Sequence, residues 1–189
     1  MSAVLLGTSS FAATYVGNAA SGDCNISNVS GSKDCELWSG NDSGNKGLTA
    51  DDELFSISGW TEAAKYDVDD AEMSTYLDDF SFTLEFTDGK SGEYSIDFGD
   101  TGVNPENVFI SLKGSTSFAA YLLNDDVTAG TYYTGDLINN GGNVSDLSHI
   151  SVWYNGDGGV SPVPLPAGLP LAMLGLSALG FAGIRRKKS

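Results

Sequence analysis

Apolar and polar residues alternate along several short stretches of this chain, and this period-two pattern predicts β-strands. Phe80 to Phe86 reads Phe-Ser-Phe-Thr-Leu-Glu-Phe, and Glu93 to Phe98 alternates in the same way. A strand points successive side chains to opposite faces, so alternation is typical of a strand with one buried face. Asp88-Gly89 supplies a turn between the two stretches. Residues 80–98 are therefore predicted to form a β-hairpin.

The remainder of the chain, apart from its two ends, follows the same pattern. Turns rich in Gly, Asn and Asp separate the strand signals, which is typical of a β-sandwich or jelly roll. Only Thr61 to Leu77 has the length for a short helix, and its Asp-rich middle disfavours one. The sequence therefore predicts an all-β domain. The further predicted strands are 54–60, 107–113, 117–123, 130–133 and 148–154.

The alternation also assigns one face of these strands to the core. Apolar residues two positions apart share a face, and that face is predicted to be buried. The predicted core residues are Phe82, Leu84, Phe86, Tyr94, Ile96, Phe98, Ile110, Leu112, Ile150 and Val152.

The last 27 residues have a different composition. Residues 160–167 form a Pro-rich linker, and residues 168–184 are a run of 17 without charge. A helix of this length spans roughly 26 Å, near the lower limit for crossing a bilayer core of about 30 Å. The stop-transfer cluster of residues 185–189 should stay cytoplasmic, because lysine and arginine resist export. The pattern predicts a transmembrane helix with the bulk of the chain exported. The cluster residues are Arg185, Arg186, Lys187 and Lys188.

The tail as a whole resembles the VPLPA variant of PEP-CTERM sorting signals. The motif residues are Val163, Pro164, Leu165, Pro166 and Ala167. The resemblance implies recognition by an exosortase-type membrane protease, removal of the helix, and release or attachment at the surface of a Gram-negative bacterium that makes exopolysaccharide. An ordinary single-pass anchor with a Pro-rich stalk is the alternative.

The first 12 residues are similar to the end of a secretory signal peptide. An apolar stretch precedes Ser10 and Ala12, whose small side chains suit cleavage after Ala12. The basic region and part of the apolar region are missing, so we interpret residues 1–12 as a truncated remnant. The alternative is a first β-strand, and Tyr15-Val16 is able to begin a strand even after cleavage.

The predicted ectodomain, residues 13–159, is strongly acidic. It contains all 25 Asp and Glu residues, five lysines and no arginine, and so carries a formal charge of −20. Such a charge repels nucleic acid and anionic membrane surfaces, so neither is an expected partner. Solubility outside the cell, binding of divalent cations and life in a salty medium are all compatible with it.

The only cysteines, Cys24 and Cys35, lie close together in the sequence. In an exported chain this spacing favours a disulfide, and two free thiols are the alternative. A zinc site needs more ligands than two cysteines and the distant His149.

Four carboxylates occur within six residues, at Asp67, Asp69, Asp70 and Glu72. Hard oxygen ligands at close spacing suit Ca²⁺, which makes this a candidate metal site. The spacing does not match an EF-hand loop, and a solvated acidic loop is the alternative. Asp97, Asp100 and Asn104 are a second, weaker candidate.

Aromatic side chains are the other candidate ligand residues, since sugar rings stack on flat aromatic faces. Trp60, Tyr133 and Trp153 are the predicted stacking residues. Aromatic residues in strands pack more often in a core or as cross-strand pairs, which is the alternative.

Catalysis is not predicted. His149 is the only histidine, and it falls inside the last predicted strand, where structural hydrogen bonding is its expected role. No Gly-x-Ser-x-Gly motif or phosphate-binding glycine loop is present. Asn41-Asp42-Ser43 is interpreted as an Asx-type turn.

Residues 24–155 are loosely similar to a recurring ectodomain found upstream of PEP-CTERM tails. The similarity rests on the order of Ser39 to Ser43, Trp60 with Lys65, 108–113, 117–123 and 147–153. It implies a β-sandwich surface protein and names no chemistry. We therefore expect a secreted, non-enzymatic surface or biofilm-matrix protein associated with exopolysaccharide. A lectin-like module that binds carbohydrate or calcium is the alternative, and an extracellular hydrolase is a third hypothesis.

Overall fold

The computed structural model describes residues 14–18, 24–44 and 47–156. Within these ranges the protein is all-β, with ten strands, a 3-10 turn at Ile26–Asn28 and no α-helix. The strands are β1 Thr14–Asn18, β2 Ser32–Ser39, β3 Thr61–Asp67, β4 Glu72–Thr75, β5 Ser81–Phe86, β6 Ser91–Asp97, β7 Asn107–Gly114, β8 Ser117–Leu123, β9 Ala129–Tyr133 and β10 His149–Asn155.

The strands form two antiparallel sheets. The larger sheet has seven strands in the order β1-β2-β8-β7-β10-β3-β4, and the smaller has three in the order β5-β6-β9. Strand β10, the last of the described strands, lies between β7 and β3 near the middle of the larger sheet. Every strand pair is antiparallel, as a predicted sandwich requires.

The inner core lies between the two sheets. Ile110, Leu112, Ile150 and Val152 of the larger sheet pack in one cluster with side chains of the smaller sheet. Those contributed by the smaller sheet are Phe82, Tyr94, Ile96 and Tyr132.

The other face of the larger sheet is also buried. The outer segment, described over residues 40–44 and 47–60, lies on this face and contributes Leu48, Leu54 and Trp60 to a second cluster, the outer core. As a result, all of β10 except Asn155 is buried, on both faces. The remaining buried members of the outer core are Trp38, Phe109, Phe118, Ala120, Leu122 and Trp153.

The structure confirms the strands whose patterns alternate most clearly. The predicted hairpin over 80–98 is β5 and β6, and the predicted pair 107–113 and 117–123 is β7 and β8. Of the predicted core residues, Phe86 differs most, because it ends β5 and is 42% exposed. Leu84 and Phe98 are partly buried.

The prediction of a strand over residues 54–60 is wrong. Residues 54–60 are not a strand: Phe55 and Ser56 have φ angles of 57° and 61°, which form a tight turn closed by Leu54 and Ile57. The segment 61–77, whose Asp-rich middle disfavoured a helix, contains the β3–β4 hairpin. Neither face of β3 is fully exposed to solvent, so its sequence does not alternate between apolar and polar residues.

The predicted disulfide is present between Cys24 and Cys35, which are 5% and 0% exposed. The disulfide ties the chain just before the 3-10 turn to β2. No free cysteine occurs among the described residues. Next to it, Asp136 accepts hydrogen bonds from the Asn25 backbone and the Tyr121 hydroxyl, both at 2.8 Å.

The predictions for residues 1–12, 160–167, 168–184 and 185–189 lie outside the described residues. In the part of the chain that the structure describes, no helix has the length and hydropathy needed for a bilayer crossing.

Replacing both cysteines by serine should lower the free energy of unfolding by about 2–3 kcal/mol, because the unfolded chain regains the freedom that the closed loop removed. Urea unfolding of the two proteins measures this. A reductant should destabilise the wild type and leave the double variant unchanged. Equal unfolding midpoints would show that the bridge does not constrain the unfolded chain.

Candidate functional site

Polar side chains line up on the outer face of the larger sheet, beside the outer core. On β10, His149 lies opposite Lys113 and Asp67, and Ser151 lies opposite Ser111 and Lys65. Residues two apart on a strand share a face, so these side chains all point toward the outer segment. A register shift in β3 then places Glu62, rather than Ala63, opposite Trp153. The sheet therefore gathers acidic, basic and hydroxyl groups under one covering segment.

Asp42, in the outer segment, is at the centre of this group. One carboxylate oxygen accepts a hydrogen bond from the Ser111 hydroxyl, and the other contacts Nε2 of His149. The Ser43 hydroxyl lies 3.4 Å from the same nitrogen. We call these four residues the Asp42 cluster; their exposed fractions range from 0% to 7%.

The Asp42 cluster has the residue types of a Ser-His-Asp catalyst without its geometry. In such catalysts the acid and the nucleophile use different nitrogens of the imidazole ring. Here Asp42 and Ser43 both meet Nε2, and the histidine side chain is only 8% exposed. The arrangement suits a structural role, in which a buried carboxylate fixes the outer segment to the sheet.

Local backbone geometry positions Asp42. The Leu48 N–H donates to the Asp42 carbonyl at 3.0 Å, and the Asn41 amide donates to the Ser43 carbonyl at 2.8 Å. Gly47 is essential to this loop, because a Cβ there would lie 2.3 Å from the Ser43 nitrogen. The predicted turn at 41–43 is therefore part of a tighter loop whose purpose is to bury a carboxylate.

A second carboxylate fixes the far end of the outer segment. Glu36 of β2 accepts hydrogen bonds from the Phe55 N–H at 2.9 Å and from Trp38 Nε1 at 3.0 Å. Burial raises the pKa of Glu36, and these two hydrogen bonds partly offset that rise. The outer segment is thus held to the sheet by carboxylates at both ends.

Glu62 has the most perturbed carboxyl group of this face. Burial raises its pKa to about 7, the nearby Ser151 hydroxyl opposes the rise, and the charge of Asp42 adds to it. Its Oε1 is buried without a hydrogen-bond partner among the described residues, and the same holds for Ser151 Oγ and Trp153 Nε1. A polar atom in this position ordinarily binds an internal water.

The two lysines of this face are differently placed. Lys65 donates to Asp67 at 3.0 Å, and although burial lowers its pKa, the Asp67 hydrogen bond and charge produce a net rise. Burial lowers the pKa of Lys113, and the charge of Asp42 partly opposes this. Both cations therefore serve to balance buried acidic groups.

The predicted calcium ligands do not form a cage. Asp67 ends β3 opposite Glu72, while Asp69 and Asp70 are exposed in the turn between β3 and β4. No three of these four carboxyl groups place ligand atoms within 4.8 Å of one another. In the second, weaker candidate, Asp97 accepts from the Gly99 N–H at 2.8 Å, which is a turn contact.

Only one set of three potential metal ligands with that spacing occurs among the described residues. It consists of Cys24, Cys35 and Asp136. Both sulfur atoms are used in the disulfide, so the set offers no pair of thiolates for a metal.

The predicted stacking residues have different environments. Trp60 and Trp153 are 2% and 4% exposed, and both rings pack against Phe109 in the outer core. Neither indole ring presents a face to solvent there. Tyr133, by contrast, is 43% exposed at the end of β9, while its neighbour Tyr132 points into the inner core.

Sequence reasoning missed the assembly of the Asp42 cluster and the role of Glu62. Asp42 is 69 residues from Ser111 and 107 from His149, so no local pattern joins them. The signal that remained visible was the row of polar residues at alternate positions of otherwise apolar strands: Ser111 and Lys113 in β7, and His149 and Ser151 in β10.

Comparison with other proteins adds no family assignment: the chain matches no protein-family model, no curated protein and no solved structure.

Replacing Asp42 by asparagine should lower the free energy of unfolding by about 3 kcal/mol, because it removes one partner of a buried, charge-assisted network. Chemical denaturation measures this. Asp69→Asn, at an exposed turn position, is the matched control and should change stability by less than about 0.5 kcal/mol. Equal small effects of the two substitutions would contradict a structural role for the cluster.

Glu62 should make stability depend on pH. Its carboxyl has a pKa near 4.5 when unfolded and about 7 when folded, so the folded state binds the proton more tightly. The resulting stabilisation is complete below the unfolded pKa and is lost as pH rises through about 7.

Glu62→Gln should therefore flatten the stability profile between these two pKa values. In mildly alkaline solution the variant should be about 1 kcal/mol more stable than the wild type, after allowance for solvent screening of a partly exposed group. The measurement is the difference between the two proteins in unfolding free energy across the pH range. Parallel profiles would contradict the buried position of Glu62.

Proposed function

We propose that this chain is an exported, non-enzymatic protein of the bacterial cell surface or biofilm matrix, associated with exopolysaccharide. In this proposal an exosortase-type membrane protease recognises Val163 to Ala167. The apolar run 168–184 and the basic residues 185–189 hold the chain in the inner membrane until it is processed. The mature protein is then the β-sandwich alone, at the surface or in the medium.

The observation that carries the sorting proposal is the order of three elements at the C-terminus. A proline-alternating motif, an uncharged run of 17 residues and four consecutive basic residues follow one another without interruption. The buried disulfide supports export, because disulfides persist in oxidising compartments.

The geometry of the Asp42 cluster supports the non-enzymatic part of the proposal. The only histidine of the chain makes its contacts with Asp42 and Ser43 in the buried interior, through a single ring nitrogen. A general base must reach the proton that it removes, and this histidine is covered by the outer segment. The extracellular hydrolase hypothesis therefore receives no support from this cluster.

The lectin-like alternative is favoured by one specific observation. Tyr133 is exposed at the end of a sheet face that consists almost entirely of hydroxyl and carboxylate side chains. Hydroxyl, carboxylate and aromatic groups together are what carbohydrate recognition requires. The calcium-dependent form of this alternative has weaker support, because the four acidic residues of the β3–β4 hairpin do not bring their carboxylates together as a set of ligands.

Mass spectrometry of the mature surface protein tests the sorting proposal. In a host with an exosortase system, the wild-type chain should end before residue 168. A variant with Pro164→Ala and Pro166→Ala should keep its tail to Ser189, because the extended motif is lost. Pro162→Ala, just outside the motif, is the matched control and should be processed normally. A wild-type surface protein that extends to Ser189 would overturn the proposal.

A further inference from the structure

The outward face of the three-stranded sheet differs in character from every other surface described above. Of its ten outward positions on β5, β6 and β9, five are Ser or Thr and three are acidic, and none is Lys or Arg. The other two are Ala129 and Tyr133. Short hydroxyl side chains leave this face flat, and no described segment crosses it.

Two carboxylates oppose each other at the middle of this face. Glu85 and Glu93 are directly paired across β5 and β6, and both are exposed. Side chains so paired have Cβ atoms roughly 5 Å apart, and like charges in this arrangement destabilise a sheet. Neither carboxylate forms a salt bridge among the described residues. A cationic partner would relieve this repulsion.

The same two residues line a groove. It has a volume of about 170 Å³ and is open to solvent, with Thr83, Ser95 and Ala129 as its other outward residues. At one end of the face, Tyr133 is directly opposite Ser91 and presents a partly exposed ring. The groove thus combines negative charge, hydroxyl groups and, nearby, an aromatic surface.

We propose that this face binds a cationic polysaccharide, made of amino sugars with free amines. One sugar would place its ammonium near Glu85 and Glu93. Its neighbours along the polysaccharide would place their hydroxyls on the Ser and Thr side chains and an apolar ring face on Tyr133. Charge-assisted hydrogen bonds to carboxylates are stronger than neutral ones, so the amine is the main determinant. The proposal rests on the proposed function as an extracellular matrix protein and names the class of its ligand.

A basic peptide is the competing partner for an acidic face. It would satisfy the two carboxylates but would leave the row of hydroxyl groups without matched partners. The hydroxyl groups of a sugar pair with that row, and this favours the glycan. Hexalysine therefore serves as a test of charge alone.

The test is calorimetric titration of the full 189-residue chain, in mild detergent, with a fully deacetylated glucosamine hexamer. Saturable binding is expected in mildly acidic solution, where the sugar amines are charged. The N-acetylated hexamer should bind at least about tenfold more weakly, since its nitrogen carries no charge. The double variant Glu85→Gln, Glu93→Gln should bind the glucosamine hexamer roughly tenfold more weakly. It should still fold, because the substitutions remove two like charges from one cross-strand pair.

Asp69→Asn with Asp70→Asn is the matched control, because it removes the same charge from an exposed turn of the other sheet. It should change the affinity by less than about twofold. Equal weakening by both double variants would overturn the proposal, as would tighter binding of hexalysine or no saturable binding. None of these results bears on the mass of the mature C-terminus, so the sorting proposal is tested independently.

Discussion

The larger sheet must bury two faces, and this constraint determines most of the structure. Its central strands are buried on both sides, so a single partner sheet cannot cover them. The three-stranded sheet covers one face, and the outer segment covers the other. Because the described residues of that segment contribute no strand to either sheet, hydrogen bonds at discrete points must hold it, and buried carboxylates provide them at Asp42 and Glu36.

The Asp42 cluster shows how such a bond is made in a very acidic chain. A buried carboxylate is costly unless hydrogen bonds and opposite charge offset its lost hydration. Here a serine, a histidine and two neighbouring lysines supply both. The compensation is incomplete near Glu62, because Glu62 Oε1, Ser151 Oγ and Trp153 Nε1 have no hydrogen-bond partner among the described residues. The histidine and serines are therefore explained by the architecture of the fold, without reference to catalysis.

Alternation in the sequence was most informative where one face of a strand is exposed to solvent. Alternation identified β5 and β6, whose outer sides face solvent, with nearly correct ends. It assigned no strand at β2 or at β3, and in β3 the neighbouring residues Ala63 and Ala64 are both buried. The Asp42 cluster could not be predicted, because its residues come from the outer segment and from strands that are far apart in the chain. Pairing across a sheet brings them together, and a linear pattern does not record that pairing.

The position of β10 has a consequence for how the protein matures. This strand lies at the C-terminal end of the described domain, yet it joins the β2-β8-β7 group to the β3-β4 hairpin. Until residue 155 has emerged, the two halves of the larger sheet share no hydrogen bonds. A chain that is synthesised from its N-terminus must therefore reach β10 before the larger sheet can close. Assembly of this sandwich is therefore a late event, completed only when the whole described domain has been synthesised.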